Sequence, residues 1–558
     1  MHHRSRTRLG IARRNLTRVL RPGVHITPPP DGVVLDRDVV ATVRDGTALR
    51  VNVFGPQDGG RHPVLLSAHP YGKDRLPTPT RSGYRVPWQY RLAAGDEPMT
   101  FSAWTSLEAP DPAFWVPRGY VVVNADLRGW GRSDGVPEVF DPREGEDVHD
   151  LVEWAAVQPW STGRVGMTGV SYLAISQWTA AATRPPHLAA INPWEGFTDA
   201  YRDFAWPGGI REDGFLALWS AWQQAMRPRA GSFRRRQRRH PLRDDWWAER
   251  SPDLERIDVP ALVCGSFSDH SLHTRGSFEG FRRIASTQKW LHTHRGPKWP
   301  AYYGATGLAA QAAFFDHFLQ GADTGILRAP PVRVEVRASL SSVVATRGAE
   351  QWPPTQARPV TLHLDAADCT LRTAAPAAAA VDVPRTGVRF RWWFDRQTDV
   401  VGPMRLRVRV AAERPDLTLF AGVRKYSGGR EVVFEGSYGF TEDIVTRGWL
   451  RASHRAVDET RSTAWEAWHP HDRAEPVPDG EAVDLDLTLL PSATRFAAGD
   501  ELVLELRDRW FFPDNPITGQ FPAVYQRPRR QRWTVHTGGS ATSTLTIPVW
   551  RDGPAGPS

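Results

Sequence analysis

The run Val165-Gly166-Met167-Thr168-Gly169-Val170-Ser171-Tyr172-Leu173-Ala174-Ile175-Ser176-Gln177-Trp178 limits what this chain can fold into more than any other stretch. A short apolar segment ends at Gly169, and a helical pattern begins directly after Ser171. A serine on so tight a strand-to-helix turn is pushed out of the sheet with its hydroxyl exposed, and small neighbours let the turn close. The new helix aims its free N-terminal N–H groups, and its positive dipole end, at charge forming beside Ser171. A bare Gly-x-Ser turn is more often structural than chemical. The strand before it, the helix after it and suitable partners further along make this one a candidate nucleophile.

Those partners can be sought by type, because an α/β-hydrolase places its nucleophile first, then an acid, then a histidine, on loops after successive strands. The apolar strand at 259–265 runs into Ser266-Phe267-Ser268-Asp269-His270, where an orienting acid belongs. One βα unit later Lys289-Trp290-Leu291-His292-Thr293 reads as a strand, with His294 at its end before Arg295-Gly296-Pro297. The expected triad is Ser171 as nucleophile, Asp269 as the carboxylate that holds the imidazole, and His294 as general base. His292 and His273 are the rivals for base. His292 alternates with the buried face of its strand and reads as a packed histidine; His273 falls on the first turn of the next helix, where a solvated role is usual.

The motif Gly-Val-Ser-Tyr-Leu-x-x-x-Gln-Trp at 169–178 resembles the elbow of the cocaine esterase and X-Pro dipeptidyl-peptidase (CocE/NonD) group of serine hydrolases. The likeness continues at Arg44-Asp45-Gly46-Thr47, His69-Pro70-Tyr71, Asp126-Leu127-Arg128-Gly129, Gln158-Pro159-Trp160-Ser161 and the Asp269 loop, and more weakly at 491–499 and 536–539. It covers nearly everything after about residue 35. One departure is Ala174, where the group usually has glycine. The resemblance implies an α/β-hydrolase fold with a helical cap insertion and a C-terminal all-β jelly roll. It also implies an oxyanion hole made by the Tyr71 hydroxyl and the backbone N–H of Tyr172, and a cap whose aromatics line the acyl pocket. Phe204 and Trp219 align with such positions and Trp206 lies close by, although packing inside the cap would explain the same stripe.

At 558 residues the chain is too long for one core, and 41% apolar content with 24 tryptophans rules out general disorder. Buried strands alternate with helical windows from residue 36 to 195, indicating a parallel sheet covered on both faces. The expected parts are a basic arm at 1–35, a hydrolase segment at 36–195, a cap at 196–255, the remaining hydrolase segment at 256–329 and the jelly roll at 330–558. Residues 76–115 form a Pro- and Trp-rich excursion that leaves the Tyr71 loop and is expected to help wall the site. After Pro330 the texture changes to alternating strands such as Val332-Arg333-Val334-Glu335-Val336, as in an antiparallel sandwich.

Two cysteines, Cys264 and Cys369, give no disulfide framework, which leans toward a cytoplasmic compartment. The net charge of +8 comes from arginine, since only four of the 70 basic residues are lysine. The run Arg234-Arg235-Arg236-Gln237-Arg238-Arg239 has no interleaved aromatics to stack bases and reads as a solvated helical face, not a nucleic-acid surface. No stretch approaches ~20 uninterrupted apolar residues, so no stable membrane insertion is expected. Leu9, Ile11, Leu16 and Leu20 could place a short amphipathic helix in the basic arm. The partner expected is a small acyl ester or short peptide, without cofactor or metal, and homo-oligomer formation stays open.

Acyl-bond hydrolysis, acyl transfer on the same residues and a non-catalytic binding role compete, and the triad with its oxyanion donors disfavours the last. A metal hydrolase built on Asp269, His270, His292 and His294 would leave the elbow unexplained. Within hydrolysis, peptidases of the group must hold a substrate ammonium with carboxylates. Only Glu212 and Asp213 offer themselves in the cap, so esters with a bulky or aromatic acyl group are the first choice.

Overall fold

The computed structural model describes residues 13, 14, 16, 17, 20–92, 98–228, 230–340, 342–436, 442–514, 523–527 and 531–552. Leu9 and Ile11 of the expected arm helix lie outside them, and Leu16 and Leu20 are exposed.

Eight strands form the sheet that carries the site: β1 (Val33–Thr42), β2 (Ala48–Pro56), β3 (His62–His69), β4 (Val121–Asp126), β5 (Ser161–Val170), β6 (Leu188–Trp194), β7 (Ala261–Ser266) and β8 (Lys289–His294). Their pairings give the order 1-2-4-3-5-6-7-8, antiparallel across β1–β2–β4 and parallel from β4 to β8. This is the α/β-hydrolase arrangement. The inner strands are continuously buried, as a sheet covered on both faces requires. Helices α1 (Glu144–Ala156), α2 (Tyr172–Ala182), α3 (Phe215–Met226), α4 (Phe233–Arg239), α5 (Thr274–Arg283) and α6 (Ala305–Gln320) supply the cover and the insertion. The arginine run occupies α4, where Gln237 is fully buried while Arg236 bonds Glu138 and Arg234 lies 4.0 Å from Asp213. Among the described residues no helix is long and apolar enough to cross a membrane.

A ninth strand, β9 (Val332–Ser339), adds parallel to β8 and carries the chain from the hydrolase sheet into an antiparallel region. There β10 (Ala357–Asp365), β11 (Val388–Trp393), β12 (Thr398–Ala412), β13 (Thr418–Ser427), β14 (Thr446–Arg451), β15 (Ala482–Phe496), β16 (Glu501–Arg507) and β17 (Thr544–Trp550) make two layers. One runs β10–β17–β12–β15 and the other β11–β16–β13–β14. Leu406, Val408, Leu485, Leu545 and Ile547 of the first meet Phe390, Leu419, Val423, Leu504 and Leu506 of the second in one buried cluster.

The second half of the chain also grips the site loops. The buried Arg295 guanidinium, one residue past β8, donates to the carbonyls of Val445 (2.8 Å) and Ile444 and lies 4.3 Å over Phe434. His270 Nε2 faces the carbonyl of Pro491 at 3.2 Å. The ends of β7 and β8 are therefore pinned by the sandwich rather than left as surface loops.

Candidate active site

Ser171 stands between β5 and α2 with φ 61° and ψ −115°, a strained conformation for a non-glycine residue that persists only where its surroundings impose it. They do. Ser171 N–H donates to the Trp194 carbonyl (3.1 Å), while the Ser171 carbonyl accepts from Ala174 and Ile175 (3.0 Å each). Gly169 has φ +148°, and a Cβ there would meet Leu173 Cβ at 2.5 Å. Ala174, the departure from the resembled motif, faces Gly196: a Cβ on Gly196 would lie 2.5 Å from the Ala174 methyl. The chain accommodates the added methyl by having no side chain opposite.

The Ser171 hydroxyl meets His273, with Oγ and Nε2 2.9 Å apart. His273 was expected in solvent on a first helical turn. It instead occupies the N-cap of α5, 1% exposed, with Phe197 stacked on its ring at 5.8 Å and 21°. Burial, then the nearby Lys298 ammonium, holds its imidazole well below the ordinary histidine range. The ring is thus neutral near pH 7, as a general base must be. Nδ1 has no hydrogen-bond partner among the described residues.

His294, the expected base, is turned elsewhere. Its Nε2 lies 2.9 Å from Glu195 Oε1, and its ring stacks on Trp194 at 6.2 Å. Glu195 is fully buried and has φ 51°, directly after β6. His292 also packs on Trp194 (5.6 Å) and burial pushes it down to about 3, so it is a packed histidine. Asp269 is buried in the β7 loop, its backbone carbonyl accepting from Leu272, His273 and Thr274. Its carboxylate lies 3.8 Å from Lys298 Nζ, which is also 3.9 Å from Glu108 Oε1. Burial lifts the Glu108 carboxyl to about 7. Glu279, another acid, lies on α5 directly after the β7 loop and pairs with Arg282 (2.9 Å) and Arg283 (3.7 Å). Among the described residues no three His, Cys, Asp or Glu side chains converge as a metal-binding group.

Tyr71 lies just past β3, 9% exposed, with the side chains of Ser171 and Trp219 beside its hydroxyl. Two motifs hold that loop. His69 Nδ1 accepts the Tyr71 N–H (3.2 Å) while its Nε2 faces Asn124 Oδ1 (2.9 Å), and Asp126 accepts the N–H groups of Lys73 (2.6 Å) and Arg132 (2.9 Å). The N–H of Tyr172 is the first of α2, whose leading amides have no intrahelical acceptor. Both oxyanion donors expected from sequence therefore border Ser171.

An aromatic wall follows. Trp219 stacks on Phe140 (5.5 Å) and Tyr172 (6.1 Å), Phe204 meets Trp219 edge-on (5.6 Å), and Trp222 lies 5.6 Å from Tyr71. Trp206 is used differently: its indole N–H donates to the Gln237 carbonyl (3.2 Å), so it ties the cap together. Sequence reasoning does not single out Phe140 and Phe197, which lie in separate segments with no motif to mark them, nor Trp222, one turn beyond Trp219 on α3.

A model of the X-Pro dipeptidyl-peptidase (S15) family matches residues 45–297, and one of the X-Pro dipeptidyl-peptidase C-terminal non-catalytic domain matches 324–546. A crystal structure of a CocE/NonD family hydrolase from Staphylococcus aureus superposes with a TM-score of 0.87 at 36% identity, over 93% of this chain and 94% of that one. This chain belongs to the CocE/NonD family of hydrolases. The cocaine esterase of Rhodococcus sp. is 34% identical over 187 residues, which are 33% of this chain and only 28% of that protein. An α-amino-acid ester hydrolase shares the fold at a TM-score of 0.67 and 16% identity. Membership makes the protein a serine hydrolase, with an α/β-hydrolase part and a mostly β C-terminal part.

Proposed function

We propose that this CocE/NonD hydrolase cleaves carboxylic esters with bulky or aromatic acyl groups, using Ser171 as nucleophile and His273 as general base. The observation that carries the reading is the 2.9 Å contact between Ser171 Oγ and His273 Nε2 at a strained elbow. Ser171 Oγ adds to the ester carbonyl carbon while its proton passes to His273 Nε2. The carbonyl oxygen becomes an oxyanion held by the Tyr71 hydroxyl and the Tyr172 N–H, donors worth roughly 3–4 kcal/mol each. Collapse breaks the bond to the alcohol oxygen, which leaves with the proton from His273. Water then adds to the acyl carbon, again losing its proton to His273; collapse breaks the bond to Ser171 Oγ, which takes that proton back as the acid is freed.

Asp269 is the carboxylate we assign to the third position. It shares the buried loop with His273, four residues upstream, and hydrogen bonds of this kind often tighten only when substrate is bound. The acyl group would lie against Trp219, Phe204 and Phe140. Glu212 and Asp213 do not supply an ammonium site. Glu212 accepts the N–H groups of Gly214, Phe215, Leu216 and Val524, and Asp213 pairs with Arg211 at 2.8 Å. A peptidase acting on X-Pro substrates is the second reading, favoured by the family model over residues 45–297. Acyl transfer to an alcohol or amine would use the same residues.

A fluorophosphonate should label the wild type at Ser171 alone, and the purified protein should turn over aromatic esters well ahead of amides and X-Pro anilides. Labelling that survives Ser171→Ala removes the nucleophile assignment; faster cleavage of X-Pro anilides would replace the ester reading by the peptidase one.

A further inference from the structure

One buried carboxyl lies behind the oxyanion hole and is not used by the chemistry above. Glu144 opens helix α1, 5% exposed, and its Oε2 accepts the Tyr172 hydroxyl at 2.6 Å. The same hydroxyl accepts the Phe140 N–H at 2.9 Å. Phe140 has φ 53°, and its ring lies almost parallel to that of Tyr172, 5.0 Å away. The Tyr172 side chain is thus fixed at its tip by α1 and across its face by the Phe140 loop. Its backbone N–H is the one assigned above to the oxyanion. Tyr71 packs edge-on to the same ring at 6.2 Å.

We propose that Glu144 is a positioning residue for the oxyanion hole, that it holds Tyr172 through the hydroxyl contact, and that it must be uncharged to do so productively. This rests on the reading of Ser171 as nucleophile with Tyr172 as an oxyanion donor. Two observations argue for the neutral form, and the direction of its ionisation agrees with them. Glu144 Oε1 is buried with no hydrogen-bond partner among the described residues, so an anion there would be stabilised through one oxygen only. Among the described residues the charged groups around it are already paired. Asp141 is taken up by Arg143 (2.7 Å) and Asp147 by Arg128, while across the adjoining cleft Arg250 is held by Glu138 (3.2 Å). Arg44, His149, Glu249 and Arg256 line the far part of that cleft, and Arg44 pairs with Asp150 (2.7 Å). Burial, opposed by the Tyr172 hydrogen bond, lifts the Glu144 carboxyl to about 8.

Below about pH 8 the carboxyl keeps its proton and the oxyanion forms beside a neutral group. Above it a fixed negative charge is set behind the donor that must stabilise another negative charge, and the rate falls. Folding obeys the same linkage: the folded state holds a proton that the unfolded chain loses near the ordinary carboxyl range, so this group's contribution to stability declines as pH rises toward 8.

The test is kcat for p-nitrophenyl butyrate between pH 6 and 10, on the full-length protein. Wild type should lose roughly tenfold in kcat on the alkaline side, with little change in KM. Glu144→Gln keeps an acceptor for the tyrosine hydroxyl and cannot ionise. It should retain at least about a tenth of kcat at pH 7 and lose the alkaline limb. Glu144→Leu, with no acceptor, should lower kcat at every pH. Melting temperatures of both variants should gain on wild type as pH rises. An alkaline limb that persists unchanged in Glu144→Gln overturns the proposal while leaving fluorophosphonate labelling of Ser171, and so the hydrolase reading, intact. Should Glu144→Gln fail to fold, a wild-type limb absent below pH 10 overturns it equally.

Discussion

The loops that end β7 and β8 each hold a buried histidine, and each histidine has what the other lacks. His273 touches the nucleophile but has no acceptor for Nδ1 among the described residues. His294 has a carboxylate at 2.9 Å, but that contact takes its Nε2 and points it at Glu195, not at Ser171. Both loops are anchored by the sandwich, through His270 on one side and Arg295 on the other, so neither arrangement is a frayed end. The difference lies in what each ring faces. A base needs its accepting nitrogen on the serine first and its orienting acid second, because the proton transfer happens at the former. On that ground His273 outranks a histidine already engaged with a carboxylate.

The comparison breaks most sharply under alanine substitution. His273→Ala and Ser171→Ala should each lower kcat by roughly 10⁴–10⁶, and the double variant should be no worse than either, since such residues act as a unit. His294→Ala should cost far less, about 10–100-fold, through disturbance of Glu195 and the Trp194 stack behind the elbow. If His294→Ala matches Ser171→Ala and His273→Ala does not, the ring at the end of β8 is the working base. The order of residues along the chain would then outrank the geometry seen here.

Next in size is Tyr71→Phe. It removes the hydroxyl beside Ser171 and Trp219 while keeping the ring between Trp222 and Tyr172. kcat should fall by roughly 10²–10³ with the melting temperature nearly unchanged. A marked drop in melting temperature with little loss of rate would make Tyr71 a packing residue. It would also leave the two histidines competing for a site with one oxyanion donor fewer.

The sequence already spoke clearly where the signal is local. Buried apolar runs marked the sheet strands, and the glycine-flanked serine between strand and helix marked the elbow. His69, Tyr71 and the Asp126 motif marked the loop beside it. Order along the chain puts a histidine after β8, and a helical first turn is normally wet, so the sequence points to His294 and away from His273. Nothing in Ser271-Leu272-His273-Thr274 announces that Phe197, from beyond β6, will close over that turn. Glu195 was invisible for a similar reason. In Pro193-Trp194-Glu195-Gly196 a charged residue before glycine looks like a surface turn, and only the arrival of β8 buries it against His294. The cap acids misled in the opposite direction, since Glu212 is consumed by backbone amides of the helix it precedes and of a segment more than 300 residues away.

The smallest effect expected is also the one that names the base without removing it. Burial first, and then the Lys298 ammonium, hold the His273 imidazole well below its ordinary value. A base must be neutral, so depressing its pKa extends activity to lower pH. The acid limb of kcat/KM should therefore lie below about 6.5, with activity already on its plateau near neutrality. The same group contributes to stability with the matching sign: the unfolded chain binds the proton first, so stability rises with pH between the folded and unfolded values. Lys298→Met removes the cation and leaves Asp269 and Glu108 without its charge, and both changes favour the imidazolium. The acid limb should then move toward higher pH while staying below the ordinary histidine value, because burial, the larger cause, is untouched. At pH 5.5 this reads as a several-fold loss of kcat/KM in the variant relative to wild type, shrinking to little at pH 8. A limb that stays in place, or moves down, would mean that the titrating base does not feel Lys298. The imidazole on Ser171 would then have to be sought on the β8 side of the comparison.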